Sequence, residues 1–246
     1  MSKTFFRPHC GPSLATAALC VLLGGAAVAT QDKLPPSSTG MPIGKTDDVV
    51  FINISLKPKR KPPERFSLGV GDKEPARDSR DLLTAGAVIE RLKKETRKRK
   101  GQPPLVIRAQ EDVTAGVIRD LLEQLMKSDL KIQPRFFAVR EEGGENNDNL
   151  TRLLETPLPV KSIPKDAAKT TVRVKATRNG DQTTVLVEGK AIPLGDLAKQ
   201  LGTYARDPER RSLLLEFDHK VPHRVIIQIL DAARLGGMNR VSVLVP

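Results

Sequence analysis

Cysteine is almost missing from this chain of 246 residues: there are 2, and both, Cys10 and Cys20, fall within the first 29 positions. A chain shortened to begin after Ala29 would hold none, which excludes a disulfide framework and a cysteine metal site. Tryptophan is absent, tyrosine occurs once, and aromatics make up only 3% of the residues, so few platforms exist for stacking bases. Histidine occurs 3 times, too sparsely for a histidine-built centre once His9 in the leader is set aside. After Ala29 no apolar run is long enough to span a bilayer.

Positive charge is abundant. Lys and Arg number 41 against 29 acidic residues, a formal net charge of +12. That balance suits adhesion to anionic polymers.

Residues 1–29 read as a targeting segment. Lys3 and Arg7 give a positive leader, Ser13 to Ala29 is apolar or small, and Ala27-Val28-Ala29 is the small-x-small pattern of a cleavage site. A secretory signal is expected, with an uncleaved anchor as the alternative. Cleavage would remove Lys3 and Arg7 and leave +10 (12 − 2). Either way, the remainder is expected outside the cytoplasm, in the periplasm or cell envelope. Nucleic acid is therefore not expected as a partner, despite the basic character.

Leu213 to Pro246 is the best-formed stretch. Leu213–Phe217 reads as a buried strand, and Asp218, His219 and Lys220 as a turn. Pro222 suits the start of a helix, where its missing N–H is harmless. Val225, Ile226, Ile229, Leu230 and Ala233 recur at helical spacing, with Arg224, Gln228, Asp231 and Arg234 on the opposite face. Gly236 and Gly237 stop the helix, and Val241, Val243 and Val245 alternate in a last strand.

The same pattern stands upstream. Val225 follows Val117 by 108 positions (225 − 117), and the same offset relates Val221 to Val113, Leu215 to Ile107 and Ile229 to Leu121. An internal duplication is expected. The spacing predicts a helix over 78–94, and strands over 49–56 and 66–70. In the second copy it predicts a hairpin at Asn179-Gly180 and a helix over 194–204. Each copy thus runs strand, strand, helix, strand, helix, strand, an α+β two-layer sandwich. The expected division is a leader over 1–29, a linker over 30–46, a first domain over 47–140, a linker over 141–170 and a second domain over 171–246. Within the second linker, Leu150–Leu154 reads as a brief helical turn.

Two basic clusters stand out: Lys57, Lys59, Arg60 and Lys61 in a proline-rich loop, and Arg97, Lys98, Arg99 and Lys100 after the first helix. They read either as contacts for an anionic wall polymer or lipid surface, or as a solvated loop and a helix end favoured by the helix dipole. His219 and His223 are four apart but divided by Pro222, and read as turn and surface residues against a metal pair. Asp218 and Asp112 stand where helices begin, without a paired carboxylate or nucleophile, so an enzyme is not expected and no cofactor is implied.

These words resemble a known family. Asn179-Gly180, the stretch GKAIPLGDLAKQL, and Asp218, Val221, Pro222, Val225, Asp231, Ala232, Ala233 and Arg234 are similar to the periplasmic domain of ExbD/TolR biopolymer transport proteins. The first copy keeps Ile107, Arg108, Ala109, Asp112, Val113 and Gly116 of similar wording. The resemblance implies a dimerising envelope protein that works with an ExbB/TolQ-type channel subunit, and that associates with peptidoglycan in its TolR-like members. It implies partner or dimer contacts through Asp218, Val221 and Pro222, with Val241, Val243 and Val245 as an exposed edge open to a partner strand. It also implies a proton-carrying aspartate within the membrane, whereas Ser13 to Ala29 contains no acidic residue. Binding rather than proton-driven work is the expectation.

Overall fold

Runs of β-branched residues form strands that alternate with helices, and they assemble into two sheets. The computed structural model describes residues 34–42, 49–71, 77–98, 103–130, 135–141 and 151–245. The leader with its two cysteines, Arg99, Lys100 and the segment 142–150 lie outside these residues.

The first sheet is built on β3 (Val50–Leu56), β4 (Glu64–Val70), β5 (Leu105–Ala109) and β6 (Arg135–Glu141). β4 runs antiparallel to β3, while β5 is parallel to β3 and β6 is parallel to β5. Helix α1 (Ala85–Arg97) connects β4 to β5, and α2 (Ala115–Lys127) connects β5 to β6. The second sheet repeats this wiring with β9 (Thr171–Asn179), β10 (Gln182–Val187), β12 (Ser212–Phe217) and β13 (Arg240–Leu244). Again the first pair is antiparallel and the next two pairings are parallel. Helices α4 (Leu197–Ala205) and α5 (His223–Leu235) make the crossovers, and β11 (Lys190–Ala191) extends the β10 edge. The result is a mixed α+β architecture with two sheets.

Most elements follow the expected periodicity. The first helix begins at Ala85 rather than 78, because Leu82 exchanges both backbone hydrogen bonds with Phe66 at 2.8 Å each. Thr84 then caps the helix by accepting from the Ala87 amide at 3.1 Å. In the β9–β10 hairpin Asn179 pairs with Gln182, so the two-residue loop is Gly180-Asp181, with Gly180 at φ +59°.

The stretches expected to be linkers contain ordered pairing instead. β1 (Pro36–Ser37) lies parallel to β6, and β2 (Met41–Pro42) antiparallel to β7 (Thr151–Glu155). β7 is a strand against β6, not a helical turn. β8 (Leu158–Val160) then joins the second sheet parallel to β13, and α3 (Lys165–Ala168) leads into β9. Residues 151–160 therefore stitch one sheet to the other.

The buried side chains confirm the joining. One continuous apolar cluster includes Ile52, Ile107, Ile118, Leu121 and Phe137 from the first half and Val174, Leu215, Ile226 and Ile229 from the second. A smaller cluster on the opposite face of the first sheet gathers Leu34, Val49, Phe51, Val106 and Ala138. On that face the Arg108 guanidinium lies 3.6 Å from the centre of the Phe51 ring.

Candidate partner-contact site

Asp218, Val221 and Pro222 form the turn between β12 and α5, and the structure sets this turn against its upstream counterpart. The Val221 amide donates to Asp218 O at 3.1 Å, and the Val113 amide to Gln110 O at 3.0 Å, closing matching turns 108 positions apart. Asp218 Oδ1 also accepts from the Lys220 amide at 3.2 Å. Thr114 and Pro222 then face each other as an isolated antiparallel bridge.

Four backbone hydrogen bonds cross this seam in reciprocal pairs. Ala115 N donates to Val221 O at 2.6 Å, and its counterpart His223 N donates to Val113 O at 2.7 Å. Gly116 N donates to His219 O at 3.0 Å, and its counterpart Arg224 N donates to Glu111 O at 2.9 Å. The first amides of any helix lack intrahelical acceptors. Here each helix has its first two satisfied by carbonyls of the other turn, an arrangement with approximate two-fold symmetry about Thr114 and Pro222.

Side chains reinforce the contact. The His223 imidazole is fully buried and meets the Phe137 ring edge-on, with centroids 5.0 Å apart. Its two nitrogens have no hydrogen-bond partner, and burial pushes its pKa down to about 3. Arg224 Nη1 reaches Asp112 Oδ1 at 2.7 Å across the seam. Asp112 thus serves an ion pair, while Asp218 supports its own turn and lies 2.8 Å from His219 Nδ1. His219 is exposed and His223 is interior, so the two histidines do not converge on one point.

Helix α5 is buried on more sides than its spacing predicts. Asp231, expected on its polar face, is covered by the segment around β1. Its carboxylate accepts from Ser37 Oγ at 2.7 Å, from the Ser38 amide at 2.9 Å and from the Thr39 hydroxyl. Arg234 adds a contact to Glu155 of β7 at 3.7 Å. Glycine at position 40 lets this segment lie close on β6 and β7: a Cβ there would sit 2.7 Å from the Arg152 Cβ and 2.9 Å from Val139 Cγ2. No local pattern announces a bond between residues 194 positions apart.

Val241, Val243 and Val245 occupy a different place from the one expected. β13 is an interior strand, flanked by β12 and β8, and Val245 N donates to Val160 O at 2.9 Å. The outer position belongs to β8, where Leu158 is exposed. The proline-containing tripeptide Leu158–Val160 carries no strand periodicity, so nothing in the sequence marks it as the strand that covers β13.

The basic residues stay at the surface. Lys57, Lys59, Arg60 and Lys61 are exposed in the loop between β3 and β4, and Lys57 pairs with Asp81, holding that carboxyl below its ordinary range. Arg97 and Lys98 end α1, with Lys98 3.3 Å from Glu95. A separate open groove of about 540 Å³ brings together Arg119, Lys161 and Lys175 with Glu216 and Asp218. The sequence offered no signal for that grouping, which comes from α2, the end of β8 and the second sheet. No helix among the described residues is long and apolar enough to cross a membrane.

Comparison with known proteins gives one assignment. Residues 147–246 match the family model for biopolymer transport protein ExbD/TolR. No curated protein and no solved structure matches the chain. The matched span holds the whole second sheet, including β8, together with the α5 side of the seam. The likeness to the ExbD/TolR family rests on residues 147–246, the part that carries the second sheet.

Proposed function

We propose that the chain is a non-catalytic envelope accessory of ExbD/TolR type, carrying two such modules in tandem. It acts by protein–protein contact with a channel subunit of the ExbB/TolQ type, in support of biopolymer transport across the envelope. The observation that carries this reading is the family match over 147–246, and the shared wiring of the two sheets extends it to the first half. The modules are bounded less sharply than 47–140 and 171–246, since residues 151–160 pair in both sheets. The N-terminal segment directs export, as a cleaved signal or a retained anchor. Ser13 to Ala29 has no acidic residue, so proton movement belongs to the partner and this chain contributes binding. Contact with the partner uses the outer strands of the sheets rather than β13, which is already paired on both sides.

A second reading has its own support in the groove cations Arg119, Lys161 and Lys175 and in the exposed loop Lys57–Lys61. It makes the chain a free periplasmic adaptor on an anionic wall polymer or lipid surface. Detergent extraction of tagged protein from its native membranes separates the two. Recovery of a channel subunit supports the transport accessory. Release by moderate salt with no channel subunit supports the adaptor, because exposed ionic contacts are screened.

A further inference from the structure

The seam between the two helix-start turns is symmetric in its backbone and asymmetric in its side chains. The four crossing hydrogen bonds occur as two equivalent pairs. Three side-chain features occur only once. Arg224 pairs with Asp112 at 2.7 Å, whereas the equivalent positions, 108 residues away on each side, hold Gly116 and Lys220. Gly116 lies under His219, where an added Cβ would stand 3.1 Å from the His219 Cβ and 3.3 Å from its carbonyl oxygen. His223 fills the space against Phe137, while its counterpart Ala115 has no ring to offer.

We infer that this seam is a heterologous lock: each turn is built to accept the unlike turn of the same chain and to reject a copy of itself. The inference rests on reading the two halves as tandem modules, and not on the identity of any channel partner.

The consequences of pairing like with like follow from the residues. Two second-half turns would place Arg224 of each copy against Lys220 of the other, a like-charge contact made twice. They would also put the Arg224 side chain beneath His219, in the space that glycine now leaves open. Two first-half turns would place Ala115 where His223 now packs on Phe137, leaving a ring-sized void, and would lose the ion pair. Only the unlike pair has the glycine, the ring contact and the opposite charges together. One chain therefore supplies the paired turns that a single-module protein would need two copies to assemble, and this face is closed to further copies.

Disulfide trapping in the full-length chain tests the lock, with Cys10 and Cys20 replaced by serine. Thr114→Cys with Pro222→Cys places thiols at the facing pair, and Glu111→Cys with Arg224→Cys is a second pair that spares Pro222. Both are expected to close within one chain, giving linked peptides after digestion and a single-chain mass on a non-reducing gel. Thr114→Cys alone is expected to give no linked dimer. A Gly116→Leu wedge, added to either pair, is expected to lower the yield of closure about tenfold or more. Disulfide-linked dimers from Thr114→Cys alone or from the Thr114/Pro222 pair, both of which keep Arg224 and Asp112, would show like or exchanged pairing and overturn the inference. Free thiols in both pairs under oxidising conditions, in protein with native circular dichroism, would overturn it as well.

Discussion

Ser37 Oγ donates to Asp231 Oδ1 over 2.7 Å, fixing β1 of the first sheet to the middle of the last helix. The neighbouring Ser38 amide and Thr39 hydroxyl complete the carboxylate's partners, and Asp231 is only 8% exposed. Replacing it with alanine removes three donors' acceptor at once. Asp231→Ala is expected to cost about 2 kcal/mol in urea unfolding. It should also open residues 34–42 to limited proteolysis while leaving the remainder resistant. Asp231→Asn, which retains one acceptor oxygen, should fall between the two. Unchanged cleavage in Asp231→Ala would mean that the segment is held by other contacts.

His223 predicts a pH dependence with a definite sign. Burial holds its folded pKa at about 3, against about 6.5 in an unfolded chain. Between those values the unfolded state binds the extra proton, so stability is complete above about 6.5 and is lost as the pH falls toward 3. The slope approaches about 1.4 kcal/mol per pH unit, which comes to about 2 kcal/mol between pH 7.5 and 5. Carboxylates titrate lower in the same range, so the quantity to measure is the difference between the parent and His223→Leu. Urea unfolding at pH 7.5 and pH 5 should show the parent losing more stability than the variant. Equal losses would mean that His223 gains a proton without disturbing the seam.

Gly236 and Gly237 end the same helix for different reasons. Gly237 has φ +79°, a conformation that favours glycine and tolerates asparagine. Gly236 has an ordinary φ of −77°, but an added Cβ would meet Ala198 O and Leu201 Cβ at 2.9 Å each. Alanine at either position is expected to destabilise by about 1–2 kcal/mol. Asparagine should be the milder replacement at 237 and the harsher one at 236, where α4 packs on α5. Thermal unfolding of the four variants distinguishes these outcomes.

The periodic elements were legible because burial imposes a period. Val225, Ile226, Ile229 and Leu230 mark α5, and the alternation of Val172, Val174 and Ala176 marks β9. The offset of 108 positions marked the two turns as equivalent, since Val113 and Val221 occupy matching places in them, but carried no sign that the turns would meet. What stayed hidden was structure without a period. β1, β2 and β8 have two or three residues and include prolines, so their pairing depends on neighbours remote in sequence. Asp231 looked like an outward polar residue because nothing within its own helix indicates that Ser37 will cover it. The edge assignment of Val241 to Val245 failed for the same reason: β8 reaches β13 from a stretch rich in proline. Gly116 carried a trace of its role, as a glycine at a helix start where a side chain would favour the helix.

The claim that the two halves form one body is tested most directly by hydrogen exchange at the amides of Ala115, Gly116, His223 and Arg224. In a free helix these first-turn amides lack intrahelical acceptors and exchange quickly. Here they donate across the seam at 2.6, 3.0, 2.7 and 2.9 Å. All four are predicted to exchange as slowly as core strand amides such as that of Leu215, opening only with the whole molecule. Exchange at the rate of unprotected first-turn amides, with Leu215 still protected, would show that the halves fold without closing on each other and would contradict the account.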